Sequence, residues 1–115
     1  MFDFEKLEVY TKSKIFTHKV ICFLSNCKTD KVVSDQLRRA ALSIILNIAE
    51  GSSRFSNKDR KNFLVIARGS AFECAAIFEF LKDNNYIELD TYHNYYKDLE
   101  EISKMLFALI KKLEN

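Results

Sequence analysis

Two sets of residues in this 115-residue chain have the types and spacing to do chemistry. The first is basic: Arg38, Arg39, Arg54, Lys58, Arg60, Lys61 and Arg68. Arginine and lysine near helix ends neutralise phosphates, and binding of that kind is salt-dependent and largely blind to base sequence. A helix N-terminus shortly before Lys58 would add free N–H groups that favour an anion. The bland reading of the same set is a solvated face, or pairing with acidic residues of another copy. The second set is a polar ribbon, Gln36, Ala40, Ser43, Asn47, Glu50 and Arg54, one position back from the apolar seam Leu37, Ala41, Ile44 and Ile48. At 100° per residue the two ribbons adjoin on one helix. A polar ribbon of small residues beside a seam points to a network that fixes helix register or an interface between subunits. Buried Glu or Arg needs partners. Glu50 and Arg54 are i and i+4 and can pair within the helix, and Arg68, Ser70 and Glu73 are candidate partners across helices.

Other chemistries fit poorly. A bundle di-iron site needs two Glu-x-x-His sets with further carboxylates, and the chain offers only Asp90-x-x-His93 and a solitary His18. Cys22 and Cys27 lack the second half of a zinc site. No nucleophile elbow, glycine-rich phosphate loop or Cys/His pairing suggests hydrolysis or phosphoryl transfer. The expectation is a protein without catalytic residues, cofactor or metal. Ten Phe and five Tyr could supply stacking platforms for bases. Most fall at helix-seam spacing and read as core. Tyr92, Tyr95 and Tyr96 beside His93 form a candidate exposed cluster, or a plug at one end of the core.

The elements that must position these residues are helices. The chain has no proline and only Gly51 and Gly69 as glycines, which leaves little material for sheets and long loops. Four amphipathic helices are expected, at about residues 5–26, 32–53, 57–83 and 90–113. Leu7, Tyr10, Ile15, Phe16, Val20, Phe23 and Leu24 line the first. Thr29, Asp30 or Ser34 is placed to cap the second. Ser56 caps the third, with Asp59 as its capping-box partner. Phe63, Ile66, Ala67, Ser70, Cys74, Ile77 and Leu81 are its seam, and Asn84-Asn85 its end. Asp90 or Thr91 starts the fourth, whose heptad seam is Tyr95, Leu99, Ile102, Leu106, Leu109 and Leu113. Helices of this kind bury their seams in an all-α, antiparallel up-down-up-down four-helix bundle, one domain over residues 1–115. Gly69 and Ser70 on the third helix, and Ser43, Asn47 and Gly51 on the second, are small enough to let a neighbouring backbone approach.

Charge is unevenly spread. Residues 31–68 hold eight basic against three acidic groups, net +5, while residues 69–115 hold five against nine, net −4. Such asymmetry attracts a polyanion or pairs one subunit with another. The acidic N-terminus lacks an apolar signal region, and the odd number of cysteines reads as reduced, mostly buried thiols. A cytoplasmic protein without a membrane partner is expected.

The string Gln36-Leu37-Arg38-Arg39-Ala40-Ala41, Ser43-Ile44, Asn47-Ile48-Ala49-Glu50-Gly51 and Arg54 resembles the signature of the four-helix-bundle proteins encoded by intervening sequences in bacterial 23S rRNA genes, the S23 ribosomal protein family. Phe63-Leu64, Ala67-Arg68-Gly69-Ser70 and Glu73 are similar to that family's second block. The chain departs from the pattern in Ser52-Ser53 and in lacking a proline before the second helix. The resemblance implies a non-catalytic bundle that assembles as a homopentamer. It extends to the accessory protein of diversity-generating retroelements, a basic pentamer that binds nucleic acid and a reverse transcriptase. On this reading Arg38, Arg39, Arg54, Lys58, Arg60 and Lys61 contact the backbone of RNA or DNA. Ser43, Asn47, Glu50, Gly69, Ser70 and Glu73 serve packing and assembly. The alternative is an adaptor that recruits a partner protein.

Overall fold

The computed structural model describes residues 1–114 and consists, among them, of helices and turns alone. A single 3-10 turn, Asp3–Lys6, precedes α1 (Glu8–Asn26), α2 (Lys31–Ser52), α3 (Asn57–Asp83) and α4 (Leu89–Lys112). The Asp30 carboxylate starts α2 by accepting from the N–H groups of Val32 and Val33 at 2.8 and 3.3 Å. Ser56 starts α3 by accepting from Asp59 N–H at 3.1 Å. The return bond from Asp59 that would complete a capping box is not made among the described residues. Asn85 closes α3 with φ of 62°, a left-handed conformation that Asn tolerates better than most residues. α1 begins three residues later than expected because Leu7 is extended. α4 begins at Leu89, ahead of Asp90 and Thr91, with no side-chain cap on its N-terminus.

Each helix packs on two others, in the cyclic order α1, α2, α3, α4. Contacts between them fix the directions. Lys12 and Lys19 of α1 pair with Glu101 and Asp98 of α4 at 2.5 and 2.6 Å, so α4 descends as α1 rises. Thr17 Oγ1 donates to the carbonyl of Ala41 at 3.2 Å, while Leu7 and Ile48 line one cavity nearer the opposite ends of the same pair. Stacked Phe78 and Tyr95, 4.4 Å apart, and Arg68 against Phe107 run α3 against α4. The result is an antiparallel bundle with extents of 44 × 24 × 21 Å.

The core is mostly aliphatic, with one aromatic centre. Leu37, Ala41, Ile44 and Ile48 are all fully buried, 0% exposed, as their spacing requires. Phe16 meets both Phe78 and Tyr95 edge-on at 6.4 and 6.0 Å. The Tyr95 hydroxyl donates to the Lys19 carbonyl at 3.0 Å, which satisfies its polar end. Two expected seam residues lie outside. Ile15 and Ile66 are 59% and 50% exposed. On α1 buried places go instead to Ser13 and Thr17. On α3 the core takes Leu64, Ala67, Ala71, Cys74, Phe78 and Leu81. That face is turned away from Ile66, so α3 has more apolar surface than its own chain covers. The cysteines also differ from expectation: Cys74 is buried, Cys27 half-buried and Cys22 exposed, and all three are free.

Candidate nucleic-acid interface

The polar ribbon of α2 meets α3 along the seam between them. The Ser70 hydroxyl donates to Ser43 Oγ at 2.7 Å. Asn47 Nδ2 donates to the Ser43 carbonyl and hydroxyl oxygens at 2.8 and 3.0 Å. Nearer the start of α2, Gln36 Nε2 donates to the Glu73 carboxylate. Ser43–Ser70 and Gly51–Phe63 share one antiparallel register, and the long Gln36 and Glu73 side chains reach across about one further turn to meet. Gly51 continues the seam. A Cβ there would lie 3.1 Å from Phe63 Cβ and 3.3 Å from the Arg60 carbonyl oxygen, so glycine lets the start of α3 approach the end of α2.

Three residues depart from their expected places. Glu50 is exposed and holds Arg54 at 2.6 Å. Gly69 faces outward, and a Cβ at this position would meet nothing within 4 Å, so it admits no neighbouring backbone within the chain. Arg68 turns towards α4 rather than α2, its guanidinium 4.7 Å from the Phe72 ring and 5.5 Å from that of Phe107. Helix rotation explains this: Ser70 and Glu73 lie on the α2 side of α3, and Arg68 lies on the α4 side.

The six basic residues form two groups. Arg54, Lys58 and Arg60 gather at the corner where α2 ends and α3 begins. Ser52 and Ser53 close α2 there by donating to the carbonyls of Ala49 and Glu50 at 3.0 and 2.7 Å. The Arg54 guanidinium covers the Phe63 ring at 4.6 Å. Arg60 reaches back from the first turn of α3, and its Nε donates to the Arg54 carbonyl at 2.7 Å. Its two terminal nitrogens have no acceptor among the described residues. Lys58 is exposed. Lys61 faces the C-terminus of α4 and pairs with Glu114 at 3.5 Å. Arg38 and Arg39 sit about 20 Å or more from this corner along α2, at 1.5 Å per residue. Arg38 approaches Asp35 at 3.9 Å, and Arg39 is exposed.

This register of polar contacts lies within a stretch that matches a known family. The family model of the 23S rRNA-intervening sequence proteins matches residues 5–108. The chain belongs to that family. A crystal structure of a protein of unknown function from the S23 ribosomal protein family of Bacteroides thetaiotaomicron is similar across 90% of this chain and 95% of its own. Its TM-score is 0.84 at 34% identity. No curated protein matches. The intervening-sequence match spans α1, α2 and α3 whole and most of α4, and includes every residue of the seam and the corner.

The corner also holds a residue that sequence reasoning passed over. Phe55, between Arg54 and the Ser56 cap, is 100% exposed. An open cleft of about 820 Å³ lies beside it, bounded by Phe2, Phe4, Leu46, Asn47, Glu50, Arg54 and Arg60. Phe2 and Phe4 stack at 5.7 Å with their planes 9° apart. The available signal was an aromatic residue in a turn, outside every helical seam and directly after Arg54. The tyrosine cluster, by contrast, is mostly interior: Tyr92 and Tyr95 are buried and only Tyr96 is substantially exposed. Among the described residues no three His, Cys, Asp or Glu side chains gather to hold a metal, and no helix is long and apolar enough to cross a membrane.

Proposed function

We propose that this intervening-sequence family member is a non-catalytic, self-associating bundle that binds the backbone of RNA or DNA at the α2–α3 corner. The observation that carries the reading is that Arg54 and Arg60 meet at one turn and line one open cleft, with Lys58 exposed on the first turn of α3 and the terminal nitrogens of Arg60 unengaged among the described residues. Guanidinium forks of this kind suit phosphate oxygens. Arg38 and Arg39 form a second, separate site of phosphate contact on the same subunit. Lys61, engaged by Glu114, contributes least.

Self-association is supported by the outward stripe of α3. Val65, Ile66, Phe72 and Phe80 are 49–55% exposed, with Gly69 and Ala76 between them on the same side. One chain leaves this stripe uncovered, and a second copy would cover it. The family resemblance implies five copies. A ring multiplies each corner by the subunit count, so modest sites bind through effective concentration. The test is a salt series on generic RNA and duplex DNA. Affinity should fall with salt, and Lys58→Ala with Arg60→Ala should lower the log–log slope by roughly one per phosphate contact removed. Absence of binding even at low salt would leave the adaptor reading, in which the same stripe or the groove between α3 and α4 receives a protein.

A further inference from the structure

Phe55 has no structural role that its surroundings reveal. Its ring is wholly exposed, and the turn that carries it is held by the Ser52, Ser53 and Ser56 hydroxyls and by Arg60. The core is complete without it. A phenyl ring left in water forgoes the stabilisation that burial would bring. Here it lines, with Arg54 and Arg60, a cleft that the stacked Phe2 and Phe4 also border. Resting on the nucleic-acid reading above, we propose that the corner takes single-stranded rather than duplex nucleic acid. An unpaired base stacks on Phe55, and the adjoining phosphates lie against Arg54 and Arg60.

Two physical arguments separate single strands from duplex at this site. A duplex keeps the faces of its bases inside its own stack, so Phe55 has nothing to stack on unless a base is flipped out at an energetic cost. A single strand presents a π-face at every nucleotide, and stacking on an aromatic side chain is indifferent to base identity. Charge density points the same way. The cleft's basic groups, Arg54 and Arg60, are tempered by Asp3 and by Glu50, which already pairs with Arg54. A site so weakly basic gains little from the dense phosphates of duplex DNA, which carries one charge per about 1.7 Å of axis against about 3.4 Å for one strand. Stacking then supplies what charge does not. The cleft volume of about 820 Å³ lies in the range of small-ligand sites and admits an extruded base.

The experiment is fluorescence anisotropy of the full chain with a polypyrimidine single strand and a duplex of equal length, at low and moderate salt. Wild type should bind the single strand more tightly, and Phe55→Ala should weaken that binding by about tenfold while changing duplex affinity by less than about twofold. Phe55→Trp should retain single-strand binding, and Phe55→Leu, which keeps an apolar side chain without a π-face, should weaken it about as much as Phe55→Ala does. Circular dichroism will show all three variants as helical as wild type, since the side chain is wholly exposed. Equal effects on both forms, or no effect on either, would overturn the stacking inference while leaving backbone binding through Arg60 in place. Failure of wild type to bind either form would remove the nucleic-acid reading itself.

Discussion

Single side chains decide which polar atoms of this bundle are held and which are offered. The Ser43–Ser70 hydroxyl pair is half-buried, and Ser43 also accepts from Asn47. Ser70→Ala removes one donor without stranding Ser43, so a loss of about 1 kcal/mol is expected in urea unfolding. Ser43→Ala strands the buried Ser70 hydroxyl, although Asn47 keeps the residue-43 carbonyl, and should cost more. Cys74 and Tyr95 set the alkaline behaviour. Burial, helped by the neighbouring Glu73 charge, pushes the Cys74 thiol from 9.0 up to about 12. Burial, with Cys22 and Asp98 adding repulsion, takes the Tyr95 hydroxyl from 10.0 to about 12. The folded state holds these protons longer than the unfolded chain does. Their contribution is therefore complete below about pH 9 and is lost as pH rises towards 12. Urea midpoints between pH 8 and 11 should decline, and Cys74→Ala should flatten the decline whatever its own offset. Ser43, Ser70 and Glu73 were legible as polar residues beside the seams and as candidates for contacts across helices, but which partner each takes was not. The direction of Arg68 was not, because it depends on which neighbour flanks which side of α3.

The helices themselves were the most legible elements, since caps and turns are local. Asp30 was one of three candidates for the start of α2, and its carboxylate engages two N–H groups. Asp30→Ala should cost about 1 kcal/mol and lower the melting temperature by several degrees. What periodicity could not settle was rotation. A helix as apolar as α3 has several stripes at three-and-four spacing, and only packing against α2 and α4 selects Ala67, Ala71, Cys74 and Phe78 over Ile66. The two glycines show the same limit. Replacing a mid-helix glycine by alanine gains roughly 0.5–1 kcal/mol where there is space. Gly69 has that space, so Gly69→Ala should stabilise the isolated chain by that amount. Gly51 lacks it, because the atoms a Cβ would meet are a backbone carbonyl and a Cβ carbon of α3, neither of which can swing aside. Gly51→Ala should therefore destabilise, and opposite shifts in thermal midpoint for the two variants would confirm the difference.

For the molecule as a whole, the uncovered face of α3 and the acidic and basic halves of the chain bear on the same question of assembly. Monomeric proteins seldom leave a contiguous stripe of large apolar residues in water, and Val65, Phe72 and Phe80 recur at intervals of seven and eight on one side of α3. Gly69 and Ala76 between them leave shallow positions into which knobs from another helix fit. Light scattering should accordingly return a mass several times the 13.5 kDa of one chain. Phe72→Glu combined with Phe80→Glu puts two carboxylates on that face without touching the buried set, so helicity should persist while the mass falls towards that of a monomer. The same variant should weaken RNA binding although neither residue lies at the corner, because a monomer presents one corner where an assembly presents several. A wild-type chain that remains monomeric at high concentration would remove the assembly. Retained mass in the double variant would place the contact elsewhere on the bundle, with the α4 side of the neighbouring groove, Tyr96 and Phe107, the next surface to change.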